Sequence, residues 1–356
     1  MESRQAASEA GRSRLMHIAL TADPELPVPP RLYGGIERII AMLAAELTNR
    51  GHQVTIFAHP ESTAAGVLVP WPGCSSSLPT DTARNAFTLW REIRGRRVDV
   101  LHSFSRIAYL LPLLAHPVPK LMSYQRPITR RTVEMGYLLS RRSLEFSAIS
   151  HWMMNPVADI GRWHLIPNGV PLSSFPFVAD PGPDAPLMFL GRVEAIKGPH
   201  LAIEVARRTG LPLVIAGNIP LEHQEWFDHT IAPELDAQIC YVGPVDDAQK
   251  ASLLGQARAL LMPILWDEPF GIVMAEALAC GTPVLGLRRG AVAEVVEDGI
   301  SGFVLDNLDQ LVAAVPRVLQ LDRWACRCRV EQHYSEAAVT NGYLAVYRDL
   351  LNRISA

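Results

Sequence analysis

Residues 259–284 read Ala259-Leu260-Leu261-Met262-Pro263-Ile264-Leu265-Trp266-Asp267-Glu268-Pro269-Phe270-Gly271-Ile272-Val273-Met274-Ala275-Glu276-Ala277-Leu278-Ala279-Cys280-Gly281-Thr282-Pro283-Val284. The apolar run that opens it has the character of a strand buried on both faces. Pro269 suits the first position of a helix, where its missing N–H costs nothing. Gly281 and Pro283 suit the end of that helix and the entry to another strand. Strand, loop, helix and strand in such short compass form one unit of a parallel α/β sheet.

The same alternation runs outward in both directions. Short Val/Ile/Leu-rich segments at 16–20, 53–58, 98–102, 120–123, 146–150 and 164–167 form one series. A second series follows at 187–190, 213–216, 239–242, 259–262, 283–286 and 303–304, with amphipathic stretches such as 36–50 and 199–208 between strands. Strands alternating with helices predict a doubly wound parallel sheet, and two series predict two such domains. The Pro-, Gly- and Asp-rich stretch 175–186 reads as the connection between them. The expected divisions are 14–170, 171–335 and a final helix in 336–356.

Composition agrees with two folded domains: the 356 residues are 49% hydrophobic and 19% charged, which suits large cores rather than disorder. A net charge of −3 argues against a nucleic-acid-coating protein. The first 165 residues carry 19 Lys/Arg against 13 Asp/Glu, and the remainder 14 against 23. That basic surplus fits ordinary uneven surface charge or a weak peripheral contact with an anionic membrane. No uncharged apolar run reaches the length of a membrane span, and the charged N-terminus does not read as a signal peptide. Five scattered cysteines without a C-x-x-C pair offer neither a disulfide scaffold nor a zinc site, so a cytoplasmic location is the expectation.

Three loops carry the candidate chemistry. Glu268 stands in the loop ahead of a helix start, and Glu276 about two turns inside the helix. Free N–H groups at a helix start attract a diphosphate, and the two carboxylates can accept hydrogen bonds from sugar hydroxyls. As residues alone they are equally well a helix cap and a helix-face glutamate. The second loop, Gly191-Arg192-Val193-Glu194-Ala195-Ile196-Lys197-Gly198, follows the strand at 187–190, where ligands bind in open α/β sheets. Two cations there suit a diphosphate, in a chain with 30 arginines but only Lys120, Lys197 and Lys250. The third is Pro29-Pro30-Arg31-Leu32-Tyr33-Gly34-Gly35-Ile36-Glu37, where Gly34-Gly35 lets a ligand approach a helix N-terminus or merely makes a turn. Neither G-x-G-x-x-G nor G-x-x-x-x-G-K-[ST] occurs, so dinucleotide and P-loop readings lack their fingerprints. No two Asp residues flank a single position, so a D-x-D metal–diphosphate clamp is missing and no metal is expected.

Taken together these loops resemble family 4 of the retaining, nucleotide-sugar-dependent glycosyltransferases, which have the GT-B fold of two Rossmann-like domains facing each other across a cleft. The resemblance runs from Gly34-Gly35-Ile36-Glu37 through Pro167-Asn168-Gly169-Val170, Gly191-Arg192 with Lys197-Gly198, and Val242-Gly243-Pro244-Val245. It ends on Glu268-x₇-Glu276 with Gly281-Thr282-Pro283-Val284. It implies that Arg192 and Lys197 hold the donor diphosphate, and that Glu268 with the backbone of Phe270 and Gly271 binds the sugar. Ile272 and Val273 complete that helix start, Glu276 binds the ribose, Val245 lies near the base, and Gly34 and Gly35 bring the first domain onto the distal phosphate. It also implies that the final helix crosses back to the first domain. Many members carry a His near the reacting sugar; here Gln125 occupies that stretch. His102, at the end of the preceding strand, is expected to face the same cleft as a site residue or to be structural. No carboxylate is placed as a covalent nucleophile, which fits a front-face transfer with the leaving phosphate taking the acceptor's proton. The implied partners are a UDP-sugar as co-substrate and a small-molecule, glycan or lipid-linked acceptor. The rival readings are a GT-B isomerase or phosphorylase and a non-catalytic nucleotide-sugar-binding protein.

Overall fold

The computed structural model describes residues 14–31 and 34–355. The charged residues before Arg14, Leu32 and Tyr33 of the Gly-Gly loop, and Ala356 lie outside the described residues.

The first series forms a seven-stranded parallel sheet in the order β3-β2-β1-β4-β5-β6-β7. Its strands are β1 (His17–Thr21), β2 (Gln53–Ala58), β3 (Val67–Pro70), β4 (Val100–Ser103), β5 (Lys120–Tyr124), β6 (Leu144–Ala148) and β7 (Trp163–Leu165). The second forms a six-stranded parallel sheet, β10-β9-β8-β11-β12-β13. Here the strands are β8 (Leu187–Leu190), β9 (Leu213–Ala216), β10 (Ile239–Tyr241), β11 (Ala259–Met262), β12 (Val284–Leu287) and β13 (Gly302–Leu305). Every strand read from sequence is present, with ends displaced by at most two residues. The strand missed is β3, an edge strand with only Val69 buried, too short and too exposed to leave an apolar run.

Central strands β1, β4, β8, β11 and β12 are buried throughout, because helices cover both faces. In helix α1 (Gly35–Asn49) a stripe of Ile39, Ile40, Leu43, Ala44 and Leu47 at 3–4 spacing packs on Ile18, Leu20 and Val54. The stretch 175–186 holds no strand, but it is laid on the second sheet's unit: Val178 N–H donates to Cys280 O at 3.0 Å, and the Phe177 ring meets Trp324. The helices that matter below are α2 (Pro199–Thr209), α3 (Asp247–Gln256), α4 (Ile272–Ala279) and α5 (Glu336–Ser355). Helix α5 lies on the first sheet's core, where Val339, Tyr343, Leu344, Tyr347 and Leu350 join the cluster around α1 and β1.

In each sheet the chain reverses its winding direction once, between β1 and β4 and between β8 and β11. Such switch points splay the following loops apart and leave a crevice at the C-terminal strand ends. The Arg192/Lys197 loop leaves β8, and the Glu268 loop leaves β11.

Candidate functional site

The loops after β8 and β11 are pinned against each other by backbone. Leu265 N–H donates to Ile196 O at 2.8 Å. Gly198, with φ of 78°, lies so close to Pro263 that an added Cβ would stand 2.1 Å from its carbonyl oxygen. From the other side, Ala291 N–H donates to Glu268 O at 2.8 Å, and Gly290 N–H to Asp267 Oδ1 at 3.0 Å. Gly290, with φ of 54°, admits no Cβ, which would stand 2.3 Å from Glu268 O. Glu268 is thus held by its backbone from two directions before any ligand arrives.

Two residues with separate expected roles prove to be partners. Lys197 Nζ donates to Glu268 Oε2 at 2.7 Å, with the side chains only 16% and 12% exposed. Trp266 Nε1–H donates to the same oxygen at 3.1 Å, and the ammonium lies 4.7 Å from the Trp266 ring centroid. Arg192 is held by a residue the sequence did not single out. Its Nη2 stands 2.8 Å from Oε1 of buried Glu194, whose Oε2 lies 3.3 Å from His223 Nε2. The Arg192 Nε is buried without a partner.

Helix α4 begins at Ile272, after Gly271 in the left-handed region, and not at Pro269. Pro269 belongs to the loop, so Glu276 is one turn inside the helix instead of two. Glu276 is 4% exposed; one carboxylate oxygen takes Lys250 Nζ from α3, and the other, Oε2, is buried with no partner. Two of the three lysines in the chain therefore hold the two glutamates of the E-x₇-E motif. Phe270 turns its ring into the core against Tyr334, leaving only backbone for a ligand. Ile272 reaches the first sheet's cluster, and Val273 and Val245 pack half-buried on the second sheet's. Val245 follows a turn at Gly243.

On the first sheet's side, a Cβ at Gly34 would come within 2.8 Å of Pro30 and Glu37, whereas one at Gly35 would meet nothing within 4 Å among the described residues. Nearby Asp23 is buried beside the Arg126 guanidinium at 3.3 Å. Burial pushes the Asp23 and Glu37 carboxyls above their ordinary range, against the pull of Arg126. Glu37 closes the Gly34-Gly35-Ile36-Glu37 motif but carries no role from sequence, and nothing in the spacing marks Asp23.

His102 does not face the cleft. It is wholly buried under α5, with Nδ1 2.6 Å from Tyr347 Oη and Nε2 2.6 Å from Ser123 Oγ. Its neighbours are Phe104, Tyr343 and Tyr347, and burial pushes its pKa down to about 3. The expectation that it is a site residue is corrected: β4 points this side chain sideways into the seam with α5. Gln125 follows β5, and its Nε2 is buried without a partner.

Among the described residues no three His, Cys, Asp or Glu side chains gather as a metal site, and no helix is long and apolar enough to cross a membrane. A cavity of about 530 Å³ is lined by His151, Phe270, Glu294, Arg329 and Tyr334, with neither Glu268 nor Glu276 in its lining. A smaller one, about 330 Å³, reaches Glu276 between α1, α3 and the crossover at 169–175.

Two facing-type α/β units with acidic and basic loops meeting at a switch point define a glycosyltransferase of the GT-B class. The chain belongs to glycosyltransferase family 4: the description "Glycosyltransferase Family 4" matches residues 33–174, and "Glycosyl transferases group 1" matches residues 176–337. It is 28% identical over 357 aligned residues to the phosphatidyl-myo-inositol mannosyltransferase of Mycolicibacterium smegmatis, covering 86% of each chain. It is 29% identical to the D-inositol 3-phosphate glycosyltransferase of Pseudarthrobacter chlorophenolicus, over 77% of this chain and 79% of that one. Among solved structures, Anabaena HepE in complex with UDP and glucose superposes with a TM-score of 0.72 at 15% identity, over 94% of this chain and all of that one.

Proposed function

We propose that the protein is a retaining glycosyltransferase that moves a hexose from a UDP-sugar to an acceptor hydroxyl without a divalent metal. The observation that carries the reading is the pairing of Lys197 with Glu268 at the β8/β11 switch point, with Glu276 and its unpartnered oxygen one helical turn into α4. A donor diphosphate entering there meets Lys197 and Arg192, the charges that take the place of a metal. Glu268, released from part of its hold on Lys197, accepts hydrogen bonds from the sugar hydroxyls, and Glu276 accepts from the ribose. Gly35 admits the distal phosphate to the start of α1.

In the transfer step the bond from the sugar's anomeric carbon to the phosphate oxygen breaks, and its electron pair stays on that oxygen. The acceptor oxygen bonds to the same face of the carbon, and its proton passes to the departing phosphate. Lys197 and Arg192 stabilise the charge that builds on the diphosphate. The HepE complex supports a uridine nucleotide as the donor handle. The test is incubation with UDP-, GDP- and ADP-hexoses without acceptor, followed by assay for free nucleoside diphosphate. Release from a UDP-hexose supports the reading. Tight UDP binding with no release from any donor, and none with a broad acceptor panel, means a binding protein instead.

A further inference from the structure

The ribose reading of Glu276 leaves open what holds a carboxylate aimed at 4% exposure. The answer lies in an unbroken line of alternating charges. Lys250 Nζ bonds Glu276 Oε1, stands 3.2 Å from Asp247 Oδ1, and lies 5.2 Å from the Phe175 ring centroid. Asp247 in turn accepts from Arg38 Nη1 at 2.5 Å. Asp247 opens α3, directly after Asp246, which closes a capping box with Gln249 and so fixes the turn that presents Asp247. Arg38 belongs to α1, the first sheet's helix, and its backbone N–H bonds Gly34 O at 3.2 Å. The line therefore starts at the ribose carboxylate of one unit and ends at the Gly34–Gly35 turn of the other, along the wall of the 330 Å³ cavity.

The geometry points to Lys250 as the positioning residue of Glu276, and to Asp247 and Arg38 as the link through which nucleoside binding and the seating of the two sheets on each other are coupled. This rests on the ribose role proposed for Glu276. With Lys250 in place, Glu276 spends one oxygen on the ammonium and keeps Oε2 for hydroxyl donors. Without it, a nearly buried carboxylate has no counter-charge and turns toward water. Removal of Arg38 acts one step back: Asp247 loses its partner and draws Lys250 off Glu276. Burial works against the Asp247 carboxylate, but Arg38 and Lys250 outweigh it and hold its pKa below the ordinary range, as a shared counter-ion requires. Coupling of this kind is reciprocal, so nucleotide binding tightens the Arg38–Asp247 contact as much as that contact tightens nucleotide binding.

The test is calorimetry with whichever of UDP, GDP and ADP binds most tightly, its 2′,3′-dideoxy form, and inorganic pyrophosphate. The unaltered chain is expected to prefer the ribose form over the dideoxy form. Lys250→Met is expected to weaken the ribose form by about tenfold and to bring the preference close to one, with pyrophosphate affinity unchanged. Arg38→Gln, two ion pairs removed from Glu276, is expected to lose about three- to fivefold on the ribose form only. An unchanged preference in Lys250→Met overturns the positioning role, and so does an equal loss on pyrophosphate, which marks general damage. Wild-type binding by Arg38→Gln overturns the link between sheets. Glu276→Gln separates the two levels: if it too keeps the preference, the ribose role itself fails, whereas a loss confined to Glu276→Gln removes only Lys250.

Discussion

Replacing Lys197 with Met separates the structural from the ligand-binding part of the site. The ammonium stands 2.7 Å from Glu268 and 4.7 Å from the Trp266 ring, in a pair that is 16% and 12% exposed. Removing one partner of a fully buried pair costs about 3–5 kcal/mol, because the other charge is stranded. Here the site opens to the cleft, and Trp266 Nε1–H still donates to Glu268 at 3.1 Å, so a loss of roughly 1–2 kcal/mol of stability is expected. For a unit of this size that lowers Tm by about 2–8 °C. The diphosphate loses a charge-assisted hydrogen bond, which weakens UDP binding by about 1–3 kcal/mol, or roughly five- to 150-fold. Adding Glu268→Gln to Lys197→Met removes the stranded charge, so the double variant recovers Tm but not affinity. Scanning calorimetry gives the first quantity and titration calorimetry with UDP the second. Wild-type UDP affinity in Lys197→Met, or affinity that returns together with Tm in the double variant, refutes the assignment of Lys197 to the diphosphate.

The remaining predictions concern metal, the two glutamates and acid stability. Activity is expected to survive saturating EDTA; complete loss restored by Mg²⁺ or Mn²⁺ counts against Arg192 and Lys197 as the neutralising pair. Glu276→Gln is expected chiefly to raise the donor KM, since ribose contacts do not change as the sugar transfers, while Glu268→Gln chiefly lowers kcat. Early melting of both variants with wild-type steady-state constants contradicts this division. His102 is neutral in the folded chain down to about pH 3, whereas the unfolded chain protonates it near its ordinary value of 6.5. Between those values the unfolded state binds the extra proton, so stability falls as pH drops through the window, by up to about 1.4 kcal/mol per pH unit, and is flat above it. His102→Gln should remove that part of the slope in urea titrations at pH 5 and 7.5, and an undiminished slope speaks against a buried neutral imidazole.

The strand framework was legible because strands covered on both faces must be apolar along their whole length, as in Leu187–Leu190 and Ala259–Met262. The edge strand Val67–Pro70 was not, because an edge needs only one buried side chain. In the candidate site, the loops of Arg192, Lys197 and Glu268 could be placed from strand ends alone. What periodicity could not reveal is which side chains meet across 26 or 71 residues, as Lys250 does with Glu276 and Lys197 with Glu268. The start of α4 was misplaced because Pro269 is compatible with a first helical position, while Gly271 takes the left-handed turn from which the helix actually begins. His102 was misjudged for a related reason: a position at a strand's C-terminal end says nothing of which face the side chain takes, and here Leu20 pairs opposite it with α5 lying over both.

One compositional signal bears directly on the site. A chain that employs arginine 30 times for its cations employs lysine three times. Arg207, Arg208, Arg288 and Arg353 show the common use, as exposed or half-exposed forks on carboxylates. The lysines occur where a fork does not fit. Lys120 is buried and donates to His116 O and Val118 O, and burial pushes its pKa down to about 8. Lys197 and Lys250 each put a compact ammonium between a nearly buried glutamate and an aromatic face, Trp266 and Phe175 respectively. A planar guanidinium in either position would have to fit flat between ring and carboxylate, and its several donors would reach both carboxylate oxygens, including the one proposed here for a sugar hydroxyl. An ammonium satisfies one carboxylate oxygen and leaves the other, as the unpartnered Glu276 Oε2 shows. Two of the three lysines therefore stand where a cation holds a nearly buried glutamate, and the third where it bonds buried backbone carbonyls.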